Sequence, residues 1–220
     1  MNKNMNLKEI ERKAFRSFFQ DGLWDIFLGM LMILMGLGPW LGGKMGGGEI
    51  EFTSVAIIMG ILILVALAAM VGFNLAKKHL TTPRLGIVRF TAPRRRKIKN
   101  LRVILWAAVV VGLLIFISIL VAADRLPTWM IPAGIFTLTC LAVLSLGAYY
   151  LDFPRLHLYG VFYGFAFPIN IWLNELLDMS TFLYVYGAFA AIMIVIGLVY
   201  LVRFLKKYPL HQMEESNGAA

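Results

Sequence analysis

A chain of 220 residues in which 60% are apolar and 15% charged, with mean hydropathy +0.78, has too little polar surface to coat a water-soluble globule. The same numbers exclude a disordered, collagen-like or disulfide-rich chain, and a lone cysteine, Cys140, excludes an internal disulfide and a cysteine metal cage. The net charge of +9 would raise nucleic acid as a partner of a soluble protein. Here the simpler reading is basic residues retained on the cytoplasmic face of a membrane protein, and nucleic acid is the weakest of the partner readings.

In chain order, residues 7–20 come first. Leu7, Ile10, Ala14, Phe15, Phe18 and Phe19 recur at steps of three and four, and charged residues fill most other positions. This predicts an amphipathic helix lying in the membrane interface. The acidic residues Glu9, Glu11 and Asp21 do not fit a cleavable signal. Asp21-Gly22 then turns the chain into a first apolar span, 22–41. Asp25 lies one turn inside it, where it would pair with an arginine such as Arg102 or Arg155 or favour the helix start through its charge. A proton-linked role is the competing reading. Gly29 and Gly36, with Met30, Met32 and Met35 between them, read as packing residues.

Further apolar stretches follow at 53–75, 101–123, 128–151, 157–177 and 181–204, each close to the ~20 residues a bilayer crossing needs. They are continuously apolar, so helices are expected rather than barrel strands. Glycines after the first span, Asp124-Arg125-Leu126-Pro127 and Asp152-Phe153-Pro154-Arg155 mark joints. The five tryptophans fall near span ends.

Between the second and third spans runs a basic cytoplasmic loop, 77–100. Its cations Lys77, Lys78, Arg84, Arg89, Arg94, Arg95, Arg96 and Lys97 meet no acidic residue. Three readings compete: an anchor to anionic lipid, a docking surface for a protein partner, and nucleic-acid contact, in that order. Pro83-Arg84-Leu85 recurs as Pro154-Arg155-Leu156, with Lys206-Lys207-Tyr208-Pro209-Leu210 as a fainter echo. A repeat of three hairpins would give this pattern, but so would helix stopping combined with charge bias.

The fifth span is the richest in polar groups. Pro168 removes a helical donor and frees the carbonyl of Gly164, so a kink is expected there. Asn170 and Asn174 share a face and, with Glu175, would either line a polar vestibule for a solute or tie helices together. Gly160 and Gly164 suit close helix packing. No catalytic motif occurs, and His79, His157 and His211 lack metal-ligand spacing, so no catalytic residue, metal or cofactor is expected.

With the N-terminus inside, all basic residues except Lys44 and Arg125 fall on the cytoplasmic side. The expected architecture is therefore an all-α integral membrane protein. It has a cytoplasmic amphipathic helix (1–21), a bundle of six transmembrane helices (22–204) and a cytoplasmic tail (205–220). The expected location is a bacterial inner membrane with both termini cytoplasmic. The expected role is a non-enzymatic accessory or regulatory subunit acting through its basic surface on anionic lipid, a protein partner or a second copy. A small-solute or ion transporter using the fifth span is the first alternative, and a lipid-active enzyme the second.

Overall fold

The computed structural model describes residues 19–45, 52–85, 130–177 and 180–209, together with Val103. The described residues are all-helical, with no strand. The main elements are α1 (Leu23–Met45), α2 (Phe52–Ala76), α3 (Met130–Leu151), α4 (Arg155–Leu177) and α5 (Phe182–Lys207). Among the described residues, five helices are long and apolar enough to cross a membrane. The expected spans 22–41, 128–151, 157–177 and 181–204 match these helices to within four residues, whereas the expected 53–75 span continues to Arg84. The expected 101–123 span lies outside the described residues, as do the amphipathic helix up to residue 18 and the basic positions Arg89, Arg94, Arg95, Arg96 and Lys97.

α2 runs further than the sequence suggests. Instead of entering the loop at Lys77, the helix continues through a π-helical turn, Lys77–Thr81, into a last α-helical turn, Thr82–Leu85. The π turn ends at Thr81, two residues before Pro83. A proline lacks the N–H donor and crowds the carbonyl four residues back, so a local widening of the turn lets the helix pass it. The Thr82 N–H reaches back to Lys77 O, and Thr82 Oγ1 also donates to that carbonyl at 3.1 Å.

The helices pack mainly as two antiparallel pairs, α1 with α5 and α3 with α4. Gly22, just before α1, and Gly29 and Gly36 within it, seven residues apart, face α5. A Cβ at Gly29 would lie 2.7 Å from Ile194 Cγ1, and one at Gly36 2.7 Å from Tyr186 Cβ. On the other side, a Cβ at Gly197 would stand 2.9 Å from both Gly22 O and Ile26 N. Without side chains at these points the two backbones come close enough for dispersion contacts to hold them, which is the main cohesive force between helices in lipid. The seven-residue repeat keeps one face turned to the partner. Gly22 also has φ +77°, a conformation glycine adopts without a Cβ clash, at the bend that admits the chain to α1.

The α3–α4 joint is a helix stop followed by a helix start. Asp152 takes φ +51°, the Phe153 N–H closes back on Ala148 O at 3.0 Å, and Pro154 follows. Phe153 is buried and stacks at 5.8 Å from Phe19. The two Pro-Arg-Leu tripeptides thus do different jobs. Pro83-Arg84-Leu85 ends a helix, whereas Pro154-Arg155-Leu156 begins one.

Pro168 lies within a continuous α4. The Gly164 carbonyl, deprived of its donor by Pro168, meets Thr137 Oγ1 of α3 at 2.8 Å. That hydroxyl is also 2.8 Å from Ala133 O, so its one proton serves both helices. α1 and α4 begin, and α2, α3 and α5 end, at one end of the bundle. The described basic side chains of Lys77, Lys78, Arg84, Arg155, Arg203, Lys206 and Lys207 lie at that end.

Two expectations follow. Gly197→Ala should lower stability by about 1–3 kcal/mol, because the new methyl meets backbone atoms that cannot yield; unfolding in mixed micelles measures it. Thr137→Val should cost about 1 kcal/mol, and less in a Pro168→Ala background, where residue 168 again supplies an N–H to Gly164 O.

Candidate functional site

The polar centre of the described bundle lies where α1 begins. A carboxylate buried at a membrane-spanning helix is costly unless a cation or several donors meet it. Asp21 and Asp25 are both fully buried, and each is met in this way.

Asp21 precedes α1. Its Oδ1 accepts the Leu23 N–H at 3.2 Å, as a helix-capping carboxylate does. Its Oδ2 accepts Lys77 Nζ at 2.5 Å and the Thr81 hydroxyl at 2.7 Å, both from the π turn that ends α2. Lys77 and Thr81 therefore converge on one oxygen. Lys77 is only 7% exposed, and its ammonium also lies 5.7 Å from the centre of the Phe73 ring.

Asp25 points to α4. Its Oδ2 accepts Arg155 Nη1 at 2.7 Å, and its Oδ1 accepts the Tyr159 hydroxyl. Arg155 uses Nη2 to bond Phe19 O at 3.0 Å. Its guanidinium lies 3.7 Å from the centre of the Tyr200 ring of α5 and 4.9 Å from that of Phe153. Arg155 thus joins α1, α4, α5 and the residues before α1. A turn further along α4, the buried Tyr163 donates to Leu28 O at 2.6 Å.

A second polar cluster closes the opposite end of the α4–α5 pair. Asn170, fully buried, donates from Nδ2 to Thr181 Oγ1 at 2.9 Å. Asn174 Oδ1 accepts the Thr181 N–H at 2.7 Å and its hydroxyl at 2.6 Å. The two asparagines do share a face, and that face is turned to the residue preceding α5. Glu175 is exposed beside them.

The sequence-derived candidates therefore separate. Asp25 and Arg155 come together. Asn170 and Asn174 come together, but on Thr181, which the sequence reading passed over. Pro168 bears on Gly164 and Thr137 instead of the asparagines. Of the basic set, Lys78 is exposed and Arg84 is half-buried, with Nη1 donating to Leu80 O at 3.2 Å. Lys77, read as part of a lipid- or partner-facing surface, instead turns inward to Asp21. It does so because the helix continues past residue 76 and carries the side chain back onto α1.

Asp21 as a ligand, Thr81, Tyr159 and Tyr200 were also missed. A four-residue spacing was available as a signal: Asp21 and Asp25, Lys77 and Thr81, and Arg155 and Tyr159 are each four apart in sequence, although only the last pair lies within one α-helix. Spacing alone does not say which pair meets which. Among the described residues, no three His, Cys, Asp or Glu side chains are placed to share a metal ion. No protein-family model, curated protein or solved structure matches this chain.

Removing one member of a buried ion pair leaves the other uncompensated, at about 3–5 kcal/mol. Asp25→Ala and Asp21→Ala should each destabilise the protein on that scale. The doubles Asp25→Ala/Arg155→Met and Asp21→Ala/Lys77→Met should recover most of the loss. Unfolding of the four variants in mixed micelles reads this directly.

Proposed function

We propose that the chain is a six-span membrane protein with both termini cytoplasmic. In this reading it acts as a non-enzymatic accessory or regulatory subunit through its basic cytoplasmic surface, and a bacterial inner membrane is its place. Topology supports the sixth crossing. α2 ends at the end of the bundle where α1 begins, whereas α3 starts at the far end. A crossing by residues 86–129 would join these two ends, and 101–123 is their one sufficiently long apolar run. α2 and α3, the helices that this stretch joins, also wall an apolar groove of about 650 Å³ that reaches Cys140 and Tyr163. Orientation is supported by the clustering of basic side chains at one end.

One observation carries the functional reading. Among the described residues, the buried polar side chains Asp21, Asp25, Lys77, Thr81, Asn170 and Thr181 all bond within the chain. These six side chains are thus spent on holding the bundle together, while Trp24 Nε1 and Arg84 Nε are buried without a hydrogen-bond partner. Lys78, Arg203, Lys206 and Lys207 are exposed at the basic end, where another molecule can reach them. The transporter reading loses ground on the same observation, since Asn170 and Asn174 are engaged by Thr181.

Native mass spectrometry of the protein gently extracted from its own membrane tests this. A stoichiometric protein partner is expected, and the charge-reversed variant Arg94→Glu/Arg95→Glu/Arg96→Glu should lose it while reporter fusions show unchanged orientation. A partner-free protein carrying a defined small solute, lost on Asn170→Ala/Asn174→Ala, would overturn the reading.

A further inference from the structure

At the basic end of the bundle, a small pocket opens between the chain entering α1 and the last two turns of α5. It holds about 140 Å³ and is lined by Gln20, Tyr200, Arg203, Phe204, Lys207 and Tyr208. The α5 residues Tyr200, Arg203, Phe204 and Lys207 recur at steps of three and four, so one helical face builds most of the wall. Arg203 and Lys207 are exposed, and Phe204 is buried beside them. Among the described residues, no acidic side chain lines the pocket. The neighbouring carboxylates, Asp21 and Asp25, are taken up by Lys77 with Thr81 and by Arg155 with Tyr159. The pocket's two cations are thus not neutralised from that side. Tyr200 is fixed in place by the Arg155 guanidinium over its ring.

We propose that this pocket binds the phosphate group of an anionic phospholipid, with Arg203 and Lys207 holding the charge. A guanidinium presents a planar fork that matches two phosphate oxygens, and an ammonium adds a mobile point charge. Gln20, Tyr200, Phe204 and Tyr208 complete the lining, and the Lys207 ammonium lies 5.5 Å from the centre of the Tyr208 ring. The pocket lies where an apolar helix ends in Arg203, Lys206, Lys207 and Tyr208, the depth at which tyrosines and long basic side chains meet headgroups. Its volume suits a single phosphate and leaves the acyl chains to run along the exposed apolar face of α5, where Val195, Leu198, Val199 and Val202 lie. Its lining includes none of the basic positions 77–97. It rests on the protein being embedded in a bilayer and not on the partner reading.

The test uses the full chain in nanodiscs of phosphatidylcholine mixed with phosphatidylglycerol, with retained lipid counted by native mass spectrometry. The unmodified protein is expected to retain phosphatidylglycerol over phosphatidylcholine. Arg203→Ala/Lys207→Ala should reduce that preference by about tenfold, whereas Lys78→Ala/Arg84→Ala, at the end of α2, should leave it within about twofold. Arg203→Lys, which keeps the charge, should retain most of it. If the double alanine variant is not recovered folded, Arg203→Gln and Lys207→Gln decide the matter singly, each expected to lose about threefold. Unchanged preference in the Arg203 and Lys207 variants would overturn the proposal. So would equal loss in the Lys78 and Arg84 control, which would make the effect general surface charge. Displacement of the lipid by inorganic phosphate, but not by chloride at equal ionic strength, would show a site for free phosphate instead.

Discussion

The bundle depends on two carboxylates that have to be buried where α1 begins. Neither Asp21 nor Asp25 is exposed, so each needs compensation from inside the protein. Lys77 comes from the end of α2, and Arg155 from the start of α4. These partners are 56 and 130 residues away in sequence, so both contacts are made only when the helices dock with the right ends together. The charges therefore act less as a source of net attraction than as a condition on which arrangement is allowed. An arrangement that separated either pair would leave a bare charge in an apolar surrounding.

Backbone groups obey the same constraint. Pro168 lies inside a helix of the bundle and Pro83 lies exposed near a helix end, and each is accommodated differently. At Pro83 the helix widens into a π turn, and that turn delivers Lys77 and Thr81 to Asp21. At Pro168 a threonine from the neighbouring helix supplies the missing donor. In both places the local repair is also a contact between helices. The glycine face of α1 adds the third element, since its close approach to α5 brings Tyr200 to the Arg155 guanidinium.

Because the internal charges are matched internally, the exposed cations at the same end are electrostatically distinct from them. Arg155 is the junction between the two sets. One face of its chemistry is the buried Asp25 carboxylate, and the other is the Tyr200 ring, which also lines the pocket beside Arg203 and Lys207. The proposed lipid phosphate would thus sit one aromatic ring away from the interaction that orders the helices. A membrane whose inner leaflet is anionic would then bear on the same end of the bundle that the ion pairs hold closed.

The sequence by itself determined the helical class, the positions of five of the helices and the concentration of basic residues at their ends. These are composition and period, and a bilayer admits few alternatives. It also gave Asp25 with Arg155 as one of two options, the packing role of Gly29 and Gly36, and the loss of a donor at Gly164. Only the tertiary structure decided that Lys77 turns inward, that Asp21 is its partner, and that Thr181 claims both asparagines. The reason is physical. A four-residue spacing says which side chains share a face, but a polar group near a helix end can meet lipid headgroups, water or another helix with little local difference. Which of these it meets is fixed by how far the helix continues and which helix ends are brought together, and both depend on contacts between residues far apart in the chain.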